Sequence, residues 1–213
     1  ALGEMFPVSQ VIGIDIHSAM IKMAEKNLSQ AAKDGIINSD KIKVEIADAQ
    51  KLPYPNNTFD LVVLSGSLSF IENRELAIKN IYRVLKPGGF LLTLDYFSKE
   101  NQPAELVKDI SNIIGLDVSK TTLEYWINLH TSQPFNIEGI ETKKPYMHAM
   151  PIKTKIKNIR TVLGHQNHTF QEQDLEVFES HLEVFQKNEE YVGIVNIVVR
   201  KLEILSLLSD GAN

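Results

Sequence analysis

The sequence predicts an open α/β fold: a mostly parallel sheet with helices on both faces and a final antiparallel strand. From Val11 to Phe97, short apolar runs alternate with amphipathic stretches in the order strand, helix, strand, strand, helix, strand. Crossovers of that length suit parallel neighbours, and the alternation suits a sheet covered by helices. The last apolar run, Tyr191 to Val199, is almost continuous in Val and Ile, the composition of a strand buried on both faces.

Val11 to Asp15 is the first of these strands, short, β-branched and expected to be buried on both sides. Ser18 is placed to cap the helix that follows. Ile21, Ala24, Leu28 and Ala31 recur on one face of it, and Gly35 ends it. A second strand is expected from Lys43 to Asp48, then a loop over Leu52 to Asn57, then a third strand from Phe59 to Ser65. Arg74 to Leu85 reads as a helix with Ile78, Ile81 and Leu85 buried, stopped by Pro87-Gly88-Gly89 before a fourth strand, Phe90 to Phe97. Beyond Ser98 the rhythm changes. Helices are expected at Pro103 to Gly115, Thr121 to His130, Lys153 to Leu163 and Gln173 to Gln186, with a strand at Phe135 to Thr142. The stretch from Lys99 to Asn188 therefore reads as an insertion or cap within one domain spanning residues 1–213.

Composition narrows the function. The 213 residues are 43% hydrophobic, enough for one substantial core, and the net charge of -5 comes from interspersed acids and bases. No basic block marks a nucleic-acid surface. Cysteine is absent, which removes disulfides and thiolate metal sites. Without a signal segment or a run of roughly 20 apolar residues, the expectation is a soluble, cytoplasmic protein that engages neither membrane nor nucleic acid. Sequons at Asn27, Asn56 and Asn167 carry little weight, since such triplets arise often by chance.

Chemistry is expected at the carboxyl ends of the strands, where open parallel sheets bind ligands. Asp15 closes Val-Ile-Gly-Ile-Asp, where a carboxylate can accept from the vicinal hydroxyls of a ribose or simply cap the next helix. Gly13 allows a close approach. Asp48-Ala49 follows Glu-Ile-Ala, where a carboxylate can accept from an exocyclic amine while the next amide donates to a ring nitrogen; an ordinary strand-end turn is the plain alternative. Ser65-Gly66-Ser67 offers small residues and free backbone groups after the third strand, or merely a tight turn.

Four stretches taken together, Val-Ile-Gly-Ile-Asp-Ile-His-Ser-Ala-Met, Ala-Asp-Ala-Gln-Lys-Leu-Pro-Tyr-Pro, Phe-Asp-Leu-Val-Val and Val-Leu-Lys-Pro-Gly-Gly, resemble the Rossmann-like class I S-adenosylmethionine-dependent methyltransferases, especially the small-molecule group. The resemblance covers about Ala1 to Phe97. It implies S-adenosylmethionine as cofactor and a small-molecule acceptor as partner. It also implies that Asp15 and Ile16 bind the ribose and flank the adenine, that Asp48, Ala49 and Gln50 contact the adenine edge, and that Ser65 and Gly66 lie along the methionine part. Leu85 to Gly89 would be a structural turn. A first strand and its Gly-x-Gly loop would lie upstream of Ala1, so the domain reads as N-terminally truncated.

The resemblance assigns no catalytic residue. Tyr96, Tyr125, Trp126, His130, Tyr146, Met147 and His148 are candidates to line an acceptor pocket, each with packing as its plainer role. His165 and His168 are three apart, yet without a matching distant pair no metal site is expected. The 99–188 segment could instead, or also, serve a homodimer interface. Two other functions stay open on sequence: a degenerate methyltransferase-like domain acting as a binding or regulatory partner, and an NAD(P)-dependent oxidoreductase, which the Asp48-Ala49 and Leu-Lys-Pro-Gly-Gly motifs disfavour.

Overall fold

The structure is a computed structural model that describes residues 10–145, 154 and 172–203. The chain packs as two compact units, residues 1–55 and 56–213.

In the first unit, β1 (Val11–Asp15) pairs in parallel with β2 (Ile42–Ile46), Asp15 opposite Ile46. Between them runs α1 (Ser18–Lys33), which packs on both strands through a stripe headed by Ile21. Ser18 does not cap it. The N-cap is His17, without a side-chain bond, and the Asp15 carboxylate takes the orphan amide of His17 at 2.8 Å instead. Gly35, at φ 69°, lies just past the C-cap Asp34 and allows the turn out of the helix. The expectation of a first strand buried on both faces fails: β1 is half-buried, with Ile14 36% exposed, because it pairs with β2 in a two-stranded sheet. Gly13 has Val44 against it, where a Cβ would come within 3.2 Å of Val44 Cγ1.

The second unit is built on a four-stranded sheet in the order β3-β4-β6-β5, formed by β3 (Phe59–Ser65), β4 (Leu85–Ser98), β5 (Phe135–Lys143) and β6 (Val192–Lys201). Pairing is parallel for β3 with β4 and antiparallel for β6 with both β4 and β5. Three strands therefore run one way and β6, inserted between β4 and β5, runs against them, as expected for a final antiparallel strand. It begins one residue later than expected, since Tyr191 belongs to a preceding 3-10 turn. Six of its ten residues, among them Val192, Ile194, Val195, Ile197 and Val199, are apolar or glycine and buried.

Helix α2 (Arg74–Val84) buries Ala77, Ile78, Ile81 and Val84 and packs on β4 and on α4 (Leu123–Thr131). Asn73 caps α2 by accepting from the Leu76 amide at 3.0 Å. The helix ends at Leu85, ahead of Pro87, and β4 starts there, with the Pro-Gly-Gly stretch forming an irregularity where Phe59 pairs with Leu85 and Leu61 with Phe90. Helix α4 packs on β4, β5 and β6, so two of the four described elements of the 99–188 segment, α4 and β5, are integral to the sheet. The rest comprises α3 (Ala104–Ile114) and α5 (Glu172–Asn188), packed on each other. The expected helix from Lys153 to Leu163 lies outside the described residues save Thr154. Among the described residues no helix is long and apolar enough to cross a membrane.

Candidate functional site

Parallel pairing of β1 and β2 puts the ends of both strands at the same edge, where the Asp15 carbonyl extends the ladder by accepting from the Ala47 amide at 3.1 Å. Asp15 and Asp48 are thereby brought to one edge of the first unit. Asp15 uses Oδ1 for both of its described bonds, to the His17 amide at 2.8 Å and to His17 Nδ1 at 3.3 Å, and its side chain keeps 40% of its exposure. Ile16 beside it is 58% exposed, an apolar side chain held out at the strand end.

Asp48 does not close β2, which stops at Ile46; it caps a 3-10 turn, Ala49–Lys51. Its Oδ1 accepts from the Gln50 amide at 2.8 Å, and the Gln50 side-chain amide lies at 3.2 and 3.4 Å from its two oxygens. The turn after it is pinned from below. Tyr54 donates its hydroxyl to Glu45 at 2.5 Å, and Lys43 pairs with the same carboxylate, which holds Glu45 below the usual carboxylate range.

In the second unit, Ser65 ends β3 opposite Leu94, and the Gly66 amide donates to the Leu94 carbonyl at 2.6 Å. Gly66 sits at φ 70°, a conformation that favours glycine and turns the chain out of the sheet. A short 3-10 turn follows, Leu68–Phe70, with Leu68 fully buried.

A polar group that sequence reasoning missed lies beside this turn. Asp95, on β4, is 1% exposed; its Oδ1 accepts from both the amide and the hydroxyl of Ser69 at 3.2 Å each, while Oδ2 is buried without a partner. Burial pushes its carboxyl up to about 7, against the downward pull of the Ser69 bonds and the Arg74 charge. Arg74 ties the same turn from the other side, donating to the carbonyls of Leu68 at 3.0 Å and Ser69 at 3.1 Å while its guanidinium lies over the rings of Tyr125 and Trp126.

Of the candidate pocket residues, Trp126 and His130 are in the core. Trp126 donates Nε1–H to the Tyr96 carbonyl at 2.9 Å. His130 Nδ1 lies 2.7 Å from the Trp126 carbonyl and must donate to it, which leaves Nε2 to accept from the Thr93 hydroxyl at 3.0 Å. Burial pushes His130 down, in keeping with that neutral ring. Tyr125 stacks edge-on against Trp126, and Tyr96 remains 39% exposed. Tyr146, Met147, His148, His165 and His168 lie outside the described residues.

Residues 1–93 match the methyltransferase domain family. Over 94 residues the chain is 42% identical to the ubiquinone/menaquinone biosynthesis C-methyltransferase of Hydrogenovibrio crunogenus, a match over 44% of this chain and 35% of that one. The corresponding enzyme of Pseudoalteromonas translucida is 28% identical over 162 residues, 76% of this chain and 59% of its own. The matches thus span between about a third and three-fifths of these relatives' length. Among solved structures, a putative sarcosine dimethylglycine methyltransferase from Galdieria sulphuraria superposes with a TM-score of 0.75 at 16% identity, covering 94% of this chain and 72% of that one. The MccD protein superposes with a TM-score of 0.69 at 23% identity, covering 93% and 82%. At such identities the structures speak for the fold alone, and the sequence matches for a resemblance of residues 1–93 to methyltransferase domains.

Proposed function

We propose that this chain binds S-adenosylmethionine and serves the transfer of its methyl group to a small-molecule acceptor. The observation that carries the reading is the pair of carboxylates, Asp15 and Asp48, brought to one edge of a parallel β-pair within a sequence that matches the methyltransferase family. The residues fit an adenosine. Asp15 retains an exposed carboxylate for ribose hydroxyls, and Ile16 offers an exposed apolar surface for the flat face of a base. Asp48, Ala49 and Gln50 form a compact turn whose backbone and side-chain groups suit the adenine edge. Ser65 and Gly66, small and at a strand end, suit the methionine part.

When bound, the cofactor supplies a sulfonium methyl that is already activated. The chain's own work is then to hold the nucleoside, orient the methyl toward the acceptor and exclude water. The domain is proposed to span residues 1–213 as one methyltransferase domain, with 99–188 supplying the acceptor side. Acting in the cytoplasm on a small acceptor, without nucleic acid, is the setting its acidic, interspersed charge suits. A homodimer formed through the 99–188 segment is compatible with it.

Calorimetric titration with S-adenosylmethionine and S-adenosylhomocysteine tests the reading. Binding of both is expected, and Asp15→Ala should weaken it by about 1.5 to 3 kcal/mol, the range for hydrogen bonds to a charged group. An Asp15→Ala protein with an unchanged dissociation constant would remove Asp15 from the site. Binding of a nicotinamide dinucleotide but neither of these compounds would favour the oxidoreductase instead.

A further inference from the structure

We propose that Asp95 is a positioning residue for the cofactor's methionine end, clasping Ser69 with its buried carboxyl and so fixing the turn from Ser65 to Phe70. The proposal rests on the cofactor reading above. It starts from an anomaly of composition: Asp95 stands inside a strand, opposite Val195 of β6, 1% exposed and without an ion pair among the described residues. A carboxyl in that place costs desolvation that an aliphatic side chain would avoid. What the chain gains for that cost is a bond across the fold, from the middle of one strand to the turn that leaves its neighbour.

The clasp is close to where the turn begins. Gly66 donates to Leu94, the residue immediately before Asp95, and three residues later the Ser69 amide and hydroxyl both donate to Asp95 Oδ1. Ser69 is therefore gripped twice, its donors by Asp95 and its carbonyl by Arg74. Gly66, Ser67 and Leu68 lie between Ser65, the last residue of β3, and this double grip, so the turn is held at both ends.

The groups around Asp95 are few. From α2 comes Arg74, whose charge acts on it; β6 presents Val195; α4 contributes Trp126, bonded to Tyr96, and the neutral His130, bonded to Thr93 two residues before. With burial holding the carboxyl near 7, its proton is gained or lost in the ordinary working range. The ionised form grips Ser69 more strongly, since hydrogen bonds to a carboxylate are the stronger kind. Order in the turn, and with it affinity for the methionine end, should rise with pH.

Dissociation constants for S-adenosylhomocysteine, measured on the 213-residue chain from about pH 6 to 8.5, test this. In the unaltered chain affinity should increase through about pH 7. Asp95→Asn keeps an acceptor for Ser69 but cannot ionise, so its profile should be flat across that interval. Asp95→Ala should lose about tenfold at the alkaline end, and Ser69→Ala, which removes one of two donors, a smaller factor with a shallower pH profile. Should Asp95→Ala not fold, Ser69→Ala and Asp95→Asn decide. Unaltered binding and an unaltered pH profile in these variants would overturn the positioning role alone. An original chain that binds neither S-adenosylhomocysteine nor S-adenosylmethionine would overturn the cofactor reading and this proposal with it.

Discussion

Two buried ionisable groups, Asp95 and Lys201, bear on the stability of the second unit at the level of single residues. Asp95 has its carboxyl raised from 3.8 to about 7 in the folded chain, so folding favours the neutral form. Its favourable contribution is fully present below the unfolded value and is lost as pH rises through about 7. A shift of that size corresponds to about 4 kcal/mol as an upper bound. Asp95→Asn should therefore be more stable than the original at pH 8 and should show a flatter stability profile between pH 4 and 7, read from urea unfolding midpoints. Lys201, by contrast, has partners for its charged group. The residue is 8% exposed, and Nζ donates to Asn57 Oδ1 at 2.9 Å, to the Tyr82 carbonyl at 2.9 Å and to the Leu85 carbonyl at 2.7 Å, with the Tyr82 ring 4.5 Å away. It ties the end of β6 to the end of α2, whose last carbonyls have no partner within the helix. Lys201→Met keeps the apolar stem and removes all three bonds, and should cost about 2 to 3 kcal/mol in the same unfolding measurement.

Elements were legible where one physical signal dominated. β1 and β3 run as expected, from Val11 to Asp15 and from Phe59 to Ser65, and α2 buries the stripe its spacing announces. Asp95 was illegible for a definite reason. The alternation of Phe90, Leu92 and Tyr96 with Leu91, Thr93 and Asp95 shows that β4 has two unlike faces, but not which is covered. Polar Thr93 and Asp95 look like the solvent side, yet they lie on the buried side while Phe90, Leu92 and Tyr96 are 37–40% exposed. Ser18 misled similarly, because the preceding Asp15 side chain reaches the His17 amide. The helix stops ahead of Pro87-Gly88-Gly89 as expected, but this stretch lies within β4 and not before it. Gly88 is at φ 77°, and a Cβ on Gly89 would sit 2.9 Å from the Lys86 carbonyl oxygen, 3.1 Å from that of Asp60 and 3.2 Å from that of Phe59. All three are backbone atoms, so Gly89→Ala must move the β3–β4 irregularity and should cost about 1 to 3 kcal/mol. Gly88→Ala meets only the end of the Glu203 side chain and should cost about 1 to 2 kcal/mol, from its φ alone. Equal losses measured by thermal unfolding would mean that the close backbone approach at Gly89 carries no penalty.

For the molecule as a whole, the division of labour between its two halves is the property open to test. One relative is 42% identical over 94 residues and a different one 28% identical over 162. Within the 99–188 segment, α4 and β5 are bound into the sheet by Trp126, His130 and the β5–β6 ladder, so they are poor candidates for a surface that varies with substrate. α3 and α5 are freer to vary. They pack on each other, and a shallow, open groove beside α3 is lined by Val107, Ser111, Leu116 and Ser119 together with Gln102 and Lys108. Exchanging residues 99–188 with the matching segment of a relative of known acceptor moves α4 and β5 together, while their partners β4 and β6 stay in place. The expected outcome is that acceptor preference, measured as the ratio of kcat/KM for two acceptors, follows the segment, while affinity for S-adenosylhomocysteine stays within about threefold, a change below about 0.7 kcal/mol. If acceptor preference instead stays with residues 1–98 and only the oligomeric state changes, the segment is an interface between copies and not the acceptor side.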